Sequence, residues 1–273
     1  MALIPPFYLD TVVAVGLQNS DGEFFWIGSG FLFGKFIDIV DEKRSRYRTY
    51  LVTNKHVIKN QERVFLRFNP KSNEKSRDYA IDLVNANKQI IWTGHPDPNI
   101  DVAVLQLDVN KLEKDGMRFN YFHSDTQIMT VSQLNEGGIT EGDFVYTLGF
   151  PMNLVDKDRK YVIVRSGIIA RIRNLLDGFS NDFLIDSFVF PGNSGGPVII
   201  KPEIQSIENT KPPQKANLIG MVQRYISYRD TAVSQQTNEP RIVFVENAGL
   251  ARVIPIDFVL ETINVANSNT EKP

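Results

Sequence analysis

Three short segments carry side chains that together could perform acyl transfer. TNKHV (53–57) contains His56, NIDVAVLQL (99–107) contains Asp101, and PGNSGGPV (191–198) places Ser194 among three glycines ahead of Pro197. The chemistry needs a hydroxyl nucleophile, a base titrating near neutrality to deprotonate it, and a carboxylate to hold that base in one tautomer. Serine alone is a poor nucleophile at neutral pH, and imidazole is the side chain best suited to take its proton. The glycines permit a sharp turn in which the N–H groups of Gly192 and Ser194 converge on one point, an oxyanion hole. Taken singly, each segment has a plainer reading. GNSGGP is then a tight turn, His56 a satisfied histidine at the end of a strand, and Asp101 a turn-ending aspartate.

The elements that must position these residues read as short β runs separated by turn residues. TVVAVGLQ (11–18) and EFFWIGSGFLFGKFIDIV (23–40) are rich in Val, Ile and Phe, and charged DEKRSRYR (41–48) is a solvated hairpin tip before TYLVTNKHVI (49–58). VFLRF, YAIDLV, QIIWTG and DVAVLQL continue the pattern in the front half, and DFVYTLGF, YVIVRSGIIARI, FLIDSFVF, PVII, LIGMVQRYI and IVFV repeat it in the back half. Strands at this density argue for barrels or sandwiches over βαβ units. Helical signal is confined to the end, where Pro255 precedes IDFVLETINVA. Residues 111–142 are polar and Gly-rich, which places a linker there between a front unit (1–110) and a back unit (143–266). KPEIQSIENTKPPQKAN (201–217) reads as a long surface loop, and 267–273 as a disordered tail.

Composition removes several classes of function. The formal charge of −2 gives no electrostatic reason to expect nucleic acid or an anionic membrane as partner. Cysteine is absent, so disulfides, thiol chemistry and cysteine-bound metals are excluded. The three histidines, His56, His95 and His123, show no metal-ligand spacing, and no metal or cofactor is expected. MALIPPFYLD lacks the basic start and apolar stretch of a signal peptide, and no run is long enough to span a bilayer, so the expected location is cytoplasmic. His95, in GHPDPN, is expected to face solvent, and His123, between aromatic residues, to pack. GSGFLFG (28–34) has the wrong spacing for a dinucleotide loop and reads as a strand with close backbone approach. FFW (24–26) reads as core rather than a ligand platform.

TNKHV, DVAVLQLD and GNSGGPV, in the order His, Asp, Ser, resemble the trypsin/chymotrypsin-like serine peptidases, and specifically the peptidase domain of their HtrA (DegP)-like bacterial branch. IGSGFLFGK, GDFVYTLGFP, RSGIIARI, LIDSFVFPGNSGG, LIGMV and ARVIPIDFV carry the likeness over nearly the whole chain. The resemblance implies an all-β fold of two Greek-key six-stranded β-barrels with a short C-terminal helix. It implies His56 as general base and acid, Asp101 as its orienting partner and Ser194 as nucleophile, in a cleft between the barrels. The amides of Gly192 and Ser194 would bind the oxyanion, with Asn193 and Gly195 shaping the loop. The substrate would be a polypeptide, hydrolysed through an acyl-enzyme.

Departures from the family carry expectations of their own. Asn193 stands where zymogen-activated relatives carry an aspartate that pairs with a newly cut N-terminus, so no propeptide removal is expected. No PDZ-like segment is expected after the peptidase half. By resemblance the S1 pocket is walled by Ser187, Phe188 and Val189 on one side and by Val222, Gln223 and Arg224 on the other. Phe188 argues against cleavage after Lys or Arg and favours small or medium apolar P1 residues, with acidic P1 open if Arg224 points inward. The rival readings are a catalytically silent peptide-binding scaffold and an enzyme held latent until a partner orders the oxyanion loop.

Overall fold

The computed structural model describes residues 4–42, 44–203, 213 and 215–270. The front half is a curled sheet. Its strands are β1 (Val12–Gln18), β2 (Phe24–Asp41), β3 (Arg44–Thr53), β4 (Arg63–Pro70), β5 (Arg77–Asp82), β6 (Thr93–Gly94) and β7 (Ala103–Gln106), hydrogen-bonded in the order β5-β4-β1-β2-β3-β7-β6. Two-residue strands β8 (Met117–Arg118) and β9 (Phe122–His123) attach to β4 and β2. The back half is a closed barrel in the order β10-β11-β12-β15-β14-β13. Its strands are β10 (Phe144–Gly149), β11 (Ile163–Arg171), β12 (Phe183–Asp186), β13 (Pro197–Ile200), β14 (Leu218–Val233) and β15 (Pro240–Pro255). The mostly β architecture with a terminal helix is as expected, but only the back half closes into a six-stranded barrel; the front half is a curled sheet.

Helix is not confined to the end, as the sequence reading had it. Short helices α1 (Pro6–Thr11), α2 (Lys55–Ile58), α3 (Asn110–Lys114), α4 (Val131–Glu136) and α5 (Arg173–Leu176) precede the terminal α6 (Ile256–Thr270). They escape apolar periodicity because one or two turns are too short to show it. α4 still carries a local signature, a capping box in which Thr130 accepts from the Gln133 N–H while the Gln133 side chain accepts from the Thr130 N–H. α6 runs through Asn267 to Thr270, into the stretch expected to be a disordered tail. The Asn267 side chain explains this, since its Oδ1 accepts from both Arg48 and Tyr50 at 2.5 Å. The expected 201–217 loop falls largely outside the described residues, as do 271–273.

Alternation along the strands fills two cores. Val13, Leu32, Leu51, Leu66 and Phe68 fill the curled sheet, and Val145, Ile169, Phe183, Val198 and Val253 fill the barrel. A third core joins the halves. It combines Tyr8, Phe31, Tyr50 and Phe122 with Leu148, Leu218, Ile254 and the apolar face of α6 (Ile256, Val259, Ile263). A polar strap crosses the same junction. Asn69 exchanges two 2.7 Å hydrogen bonds with the Lys160 backbone, and Arg67, paired bidentately with Asp78, also donates to the Asp156 carbonyl at 2.9 Å. The junction between the halves is therefore held by apolar burial and by buried hydrogen bonds together.

Candidate active site

His56 lies on α2, one turn after β3 ends at Thr53, not on the strand that the sequence reading extended to residue 58. Val57 and Ile58, both buried, anchor that turn in the front core. Its flanking residues hold the segment that delivers Asp101. The Asn54 amide donates to the Asp101 carbonyl at 2.7 Å, and the Lys55 ammonium donates to the carbonyls of His95 (2.7 Å) and Asp97 (3.0 Å). Burial lowers the Lys55 pKa, while Asp101 and Asp97 oppose that shift.

Asp101 grips His56 twice. Its Oδ1 accepts the His56 backbone N–H at 3.1 Å, and its Oδ2 lies 2.5 Å from His56 Nδ1. An ionised carboxylate can only accept, so Nδ1 carries the proton and Nε2 keeps its lone pair for a proton from elsewhere. That is the tautomer a general base needs.

Ser194 follows a turn built on Pro191 and Gly192. The Asn193 N–H donates to the Phe190 carbonyl at 3.0 Å and Gly192 has φ +98°, the pattern of a type II turn. No L side chain fits there, since a Cβ on residue 192 would sit 2.3 Å from the Phe150 carbonyl oxygen. The Pro191 carbonyl accepts the Met152 N–H at 2.6 Å. Across a trans peptide the C=O and N–H point in opposite directions, so the Gly192 N–H faces away from Met152. Among the described residues neither the Gly192 nor the Ser194 N–H has a hydrogen-bond partner. Two free donors beside a hydroxyl are what an oxyanion site requires. Asn193 is buried, and its neutral Oδ1 accepts the Phe190 N–H at 3.0 Å, holding the turn without a buried carboxylate.

The two halves meet at Gly28. A Cβ there would lie 2.8 Å from the Val57 side chain and 3.3 Å from the Ser194 carbonyl, so the neighbour of His56 and the main chain of Ser194 converge on one point. The Ser194 hydroxyl itself donates to the Gln223 carbonyl at 3.1 Å, and among the described residues no hydrogen bond joins it to His56.

The residues expected to wall an S1 pocket divide. Val189 and Val222 bury their side chains in the barrel core, and Val222 exchanges main-chain hydrogen bonds with Gly195 and Gly196. Ser187 is buried with its hydroxyl 3.5 Å from that of Thr147. Phe188 is 55% exposed and stacks on Phe190 at 6.5 Å, and Arg224 points outward on β14. Of the six, Gln223 hydrogen-bonds Ser194, through its carbonyl. His95 reverses its expectation of facing solvent. It is buried, its Nδ1 accepts the Asp97 N–H at 3.1 Å, and its Nε2 lies 3.1 Å from Glu261 on α6. His123 stacks on Tyr47 at 4.6 Å, a packing role. In FFW only Trp26 is buried, while Phe25 faces out. A cavity of about 610 Å³ between β4, β5 and α3 contains none of the site residues. Among the described residues no cluster of His, Asp and Glu could hold a metal ion, and no helix is long and apolar enough to cross a membrane.

Sequence reading missed Ser29, Met152 and Lys55. Ser29 alone left a signal, a hydroxyl between two glycines inside an apolar strand, which must find a partner when buried.

With this geometry in place, residues 28–201 match the family described as trypsin-like peptidase domain. The chain belongs to that family. No curated protein matches it. Among solved structures, the apo MamO protease domain from Magnetospirillum magneticum is similar at 14% identity over 93% of this chain and 96% of that one, with a TM-score of 0.48.

Proposed function

We propose that this trypsin-like peptidase domain is an active serine endopeptidase that hydrolyses polypeptides through an acyl-enzyme, with His56, Asp101 and Ser194 as its triad. The observation that carries the reading is the double acceptance of His56 by Asp101, which fixes both the ring tautomer and its orientation.

In the reaction the Ser194 hydroxyl leaves the Gln223 carbonyl and turns to His56 Nε2, which takes its proton as Oγ attacks the scissile carbonyl. Negative charge then develops on the carbonyl oxygen and is met by the Gly192 and Ser194 amides. His56 returns the proton to the leaving amine. Water, activated by the same imidazole, releases the acyl group and regenerates Ser194. Asp101 stays ionised and stabilises the imidazolium. The motif likeness supports placement in the HtrA-like branch, the lack of cysteine supports a cytoplasmic location, and neither nucleic acid nor membrane is proposed as partner. Exposed Phe188 beside Phe190 supports apolar P1 preference.

A fluorophosphonate probe tests this. The wild type should label at one site, and Ser194→Ala should not label; an unlabelled wild type ends the reading of an autonomous enzyme. One observation favours a second reading, a silent or partner-activated scaffold, because the Ser194 hydroxyl rests on Gln223 rather than on His56. Labelling that appears only after addition of a cell extract would select it.

A further inference from the structure

Ser29 lies in the front half, on β2, and is fully buried, yet its polar groups all serve the catalytic junction. Its N–H donates to the Ser194 carbonyl at 2.9 Å. Its hydroxyl donates to the Gly192 carbonyl at 2.7 Å and accepts the Phe150 N–H at 3.0 Å. Its own carbonyl accepts the Thr53 hydroxyl at 2.8 Å, which ties this set to the strand leading to His56.

The consequence for Gly192 follows from its two peptide planes. The plane before it, which carries its N–H, is held by the Met152 N–H on the Pro191 carbonyl; the plane after it is held by the Ser29 hydroxyl on the Gly192 carbonyl and by the Asn193 N–H on the Phe190 carbonyl. Glycine has no Cβ to restrict rotation, so it is these contacts together that keep its N–H in place, and the Ser29 hydroxyl is the one among them that comes from the front sheet. The Phe150 amide occupies one lone pair of the hydroxyl, and the Gly192 carbonyl, which can only accept, takes its proton. The fit is close, since a Cβ on Gly149 would lie 2.7 Å from Ser29 Oγ.

Resting on the peptidase reading above, we infer that Ser29 is a positioning residue for the oxyanion hole: its hydroxyl, reaching from the front sheet, locks the Gly192 peptide so that the Gly192 and Ser194 amides stay aimed at one point. The reaction's nucleophile and base belong to other residues; Ser29 acts through Gly192. Loss of its hydroxyl should therefore slow the chemical step and leave substrate binding alone.

The test compares wild type, Ser29→Ala and the near-isosteric Ser29→Cys. Fluorophosphonate labelling and turnover of denatured casein report activity, and the Gly192 amide signal in nitrogen-edited NMR, with its hydrogen exchange, reports the peptide directly. Ser29→Ala should label about 10- to 100-fold more slowly, with kcat lowered, KM within about twofold and the His56 ring signals unmoved. Its Gly192 amide should broaden or double and exchange faster. Ser29→Cys, a weak donor, should fall between the two, and it decides the matter alone if Ser29→Ala fails to fold. Labelling at the wild-type rate with an unchanged Gly192 amide would overturn the inference. A wild type that never labels would sink the peptidase reading instead, and the Gly192 amide would still decide whether Ser29 positions that peptide.

Discussion

The Met152 N–H meets the Pro191 carbonyl at 2.6 Å, and it does so from a left-handed backbone with φ +53°. Asn153 follows with φ +58°, so two consecutive non-glycine residues occupy a region that L side chains rarely adopt. Such residues persist when their surroundings over-determine them, and here the strap from Asp156 to Lys160 is tied to Arg67 and Asn69 on the front sheet. The strain sits directly behind the Gly192 turn. One half of the molecule thus braces the Gly192 turn of the other.

Gly192→Ala follows from that brace. Its Cβ would collide with the Phe150 carbonyl at 2.3 Å while the backbone demands φ +98°. The turn must move, and labelling by a fluorophosphonate should fall by at least about 100-fold. Urea denaturation should show a loss of about 1–3 kcal/mol. Wild-type labelling would mean that the Gly192 amide is not an oxyanion donor.

Asp101→Asn should lower kcat by about four orders of magnitude while the melting temperature moves little. Its amide would present a donor toward one of the two nitrogens that Asp101 now accepts from, reversing the tautomer set at His56 Nδ1. Steady-state kinetics at pH 7 and at pH 10 check this, and unchanged kcat would remove Asp101 from the mechanism.

Much of the site was legible because its residues sit in short contiguous motifs. TNKHV and GNSGGPV mark His56 and Ser194 locally, and the Gly192 turn needs only Pro191 and Gly192 to be read. What was illegible depends on distant partners. His95 looked solvated in a turn-rich loop, yet Glu261 on α6, 166 residues away, covers it. Ser29 acquires a role only when Gly192 arrives from a position 163 residues later. α2 was hidden because its four residues are too few to show a helical period. Nothing local says that the chain turns there; the Asp101 carboxylate accepting the His56 N–H does.

Lys160 should make stability depend on alkaline pH. Burial drives its pKa down to about 8, with Asp10 opposing the shift and Arg118 adding to it, while its ammonium donates to the Val12 carbonyl at 2.5 Å. The unfolded value is about 10.4, so between these limits the unfolded chain binds more protons and stability rises with pH. Relative to Lys160→Met, the wild type should gain about 3 kcal/mol between pH 7 and pH 10.5. Paired urea titrations at the two pH values measure the difference, and a flat difference contradicts the lowered pKa of buried Lys160.

Glu141 works in the acid range. Desolvation raises its pKa, but the N–H groups of Ile172 and Arg173 and the Thr140 hydroxyl outweigh it and hold the value at about 2. A depressed carboxylate stabilises above its unfolded pKa of about 4.3 and loses that contribution as pH falls through about 2. Its side chain is 29% exposed, so solvent discounts the effect. Glu141→Gln should cost about 1–2 kcal/mol at pH 7, and little below pH 2. Acid titration of stability for both proteins checks it.

The central claim is that Ser194 becomes acylated during turnover. Rapid mixing with a p-nitrophenyl ester, quenched in acid and read by intact-protein and peptide mass spectrometry, tests this directly. The account predicts a burst of p-nitrophenol equal to the enzyme present and an acyl mass on the peptide containing Ser194, both lost in Ser194→Ala and in His56→Ala. Acylation that persists in Ser194→Ala, or a wild type that forms no adduct at any pH between 6 and 9, would contradict it.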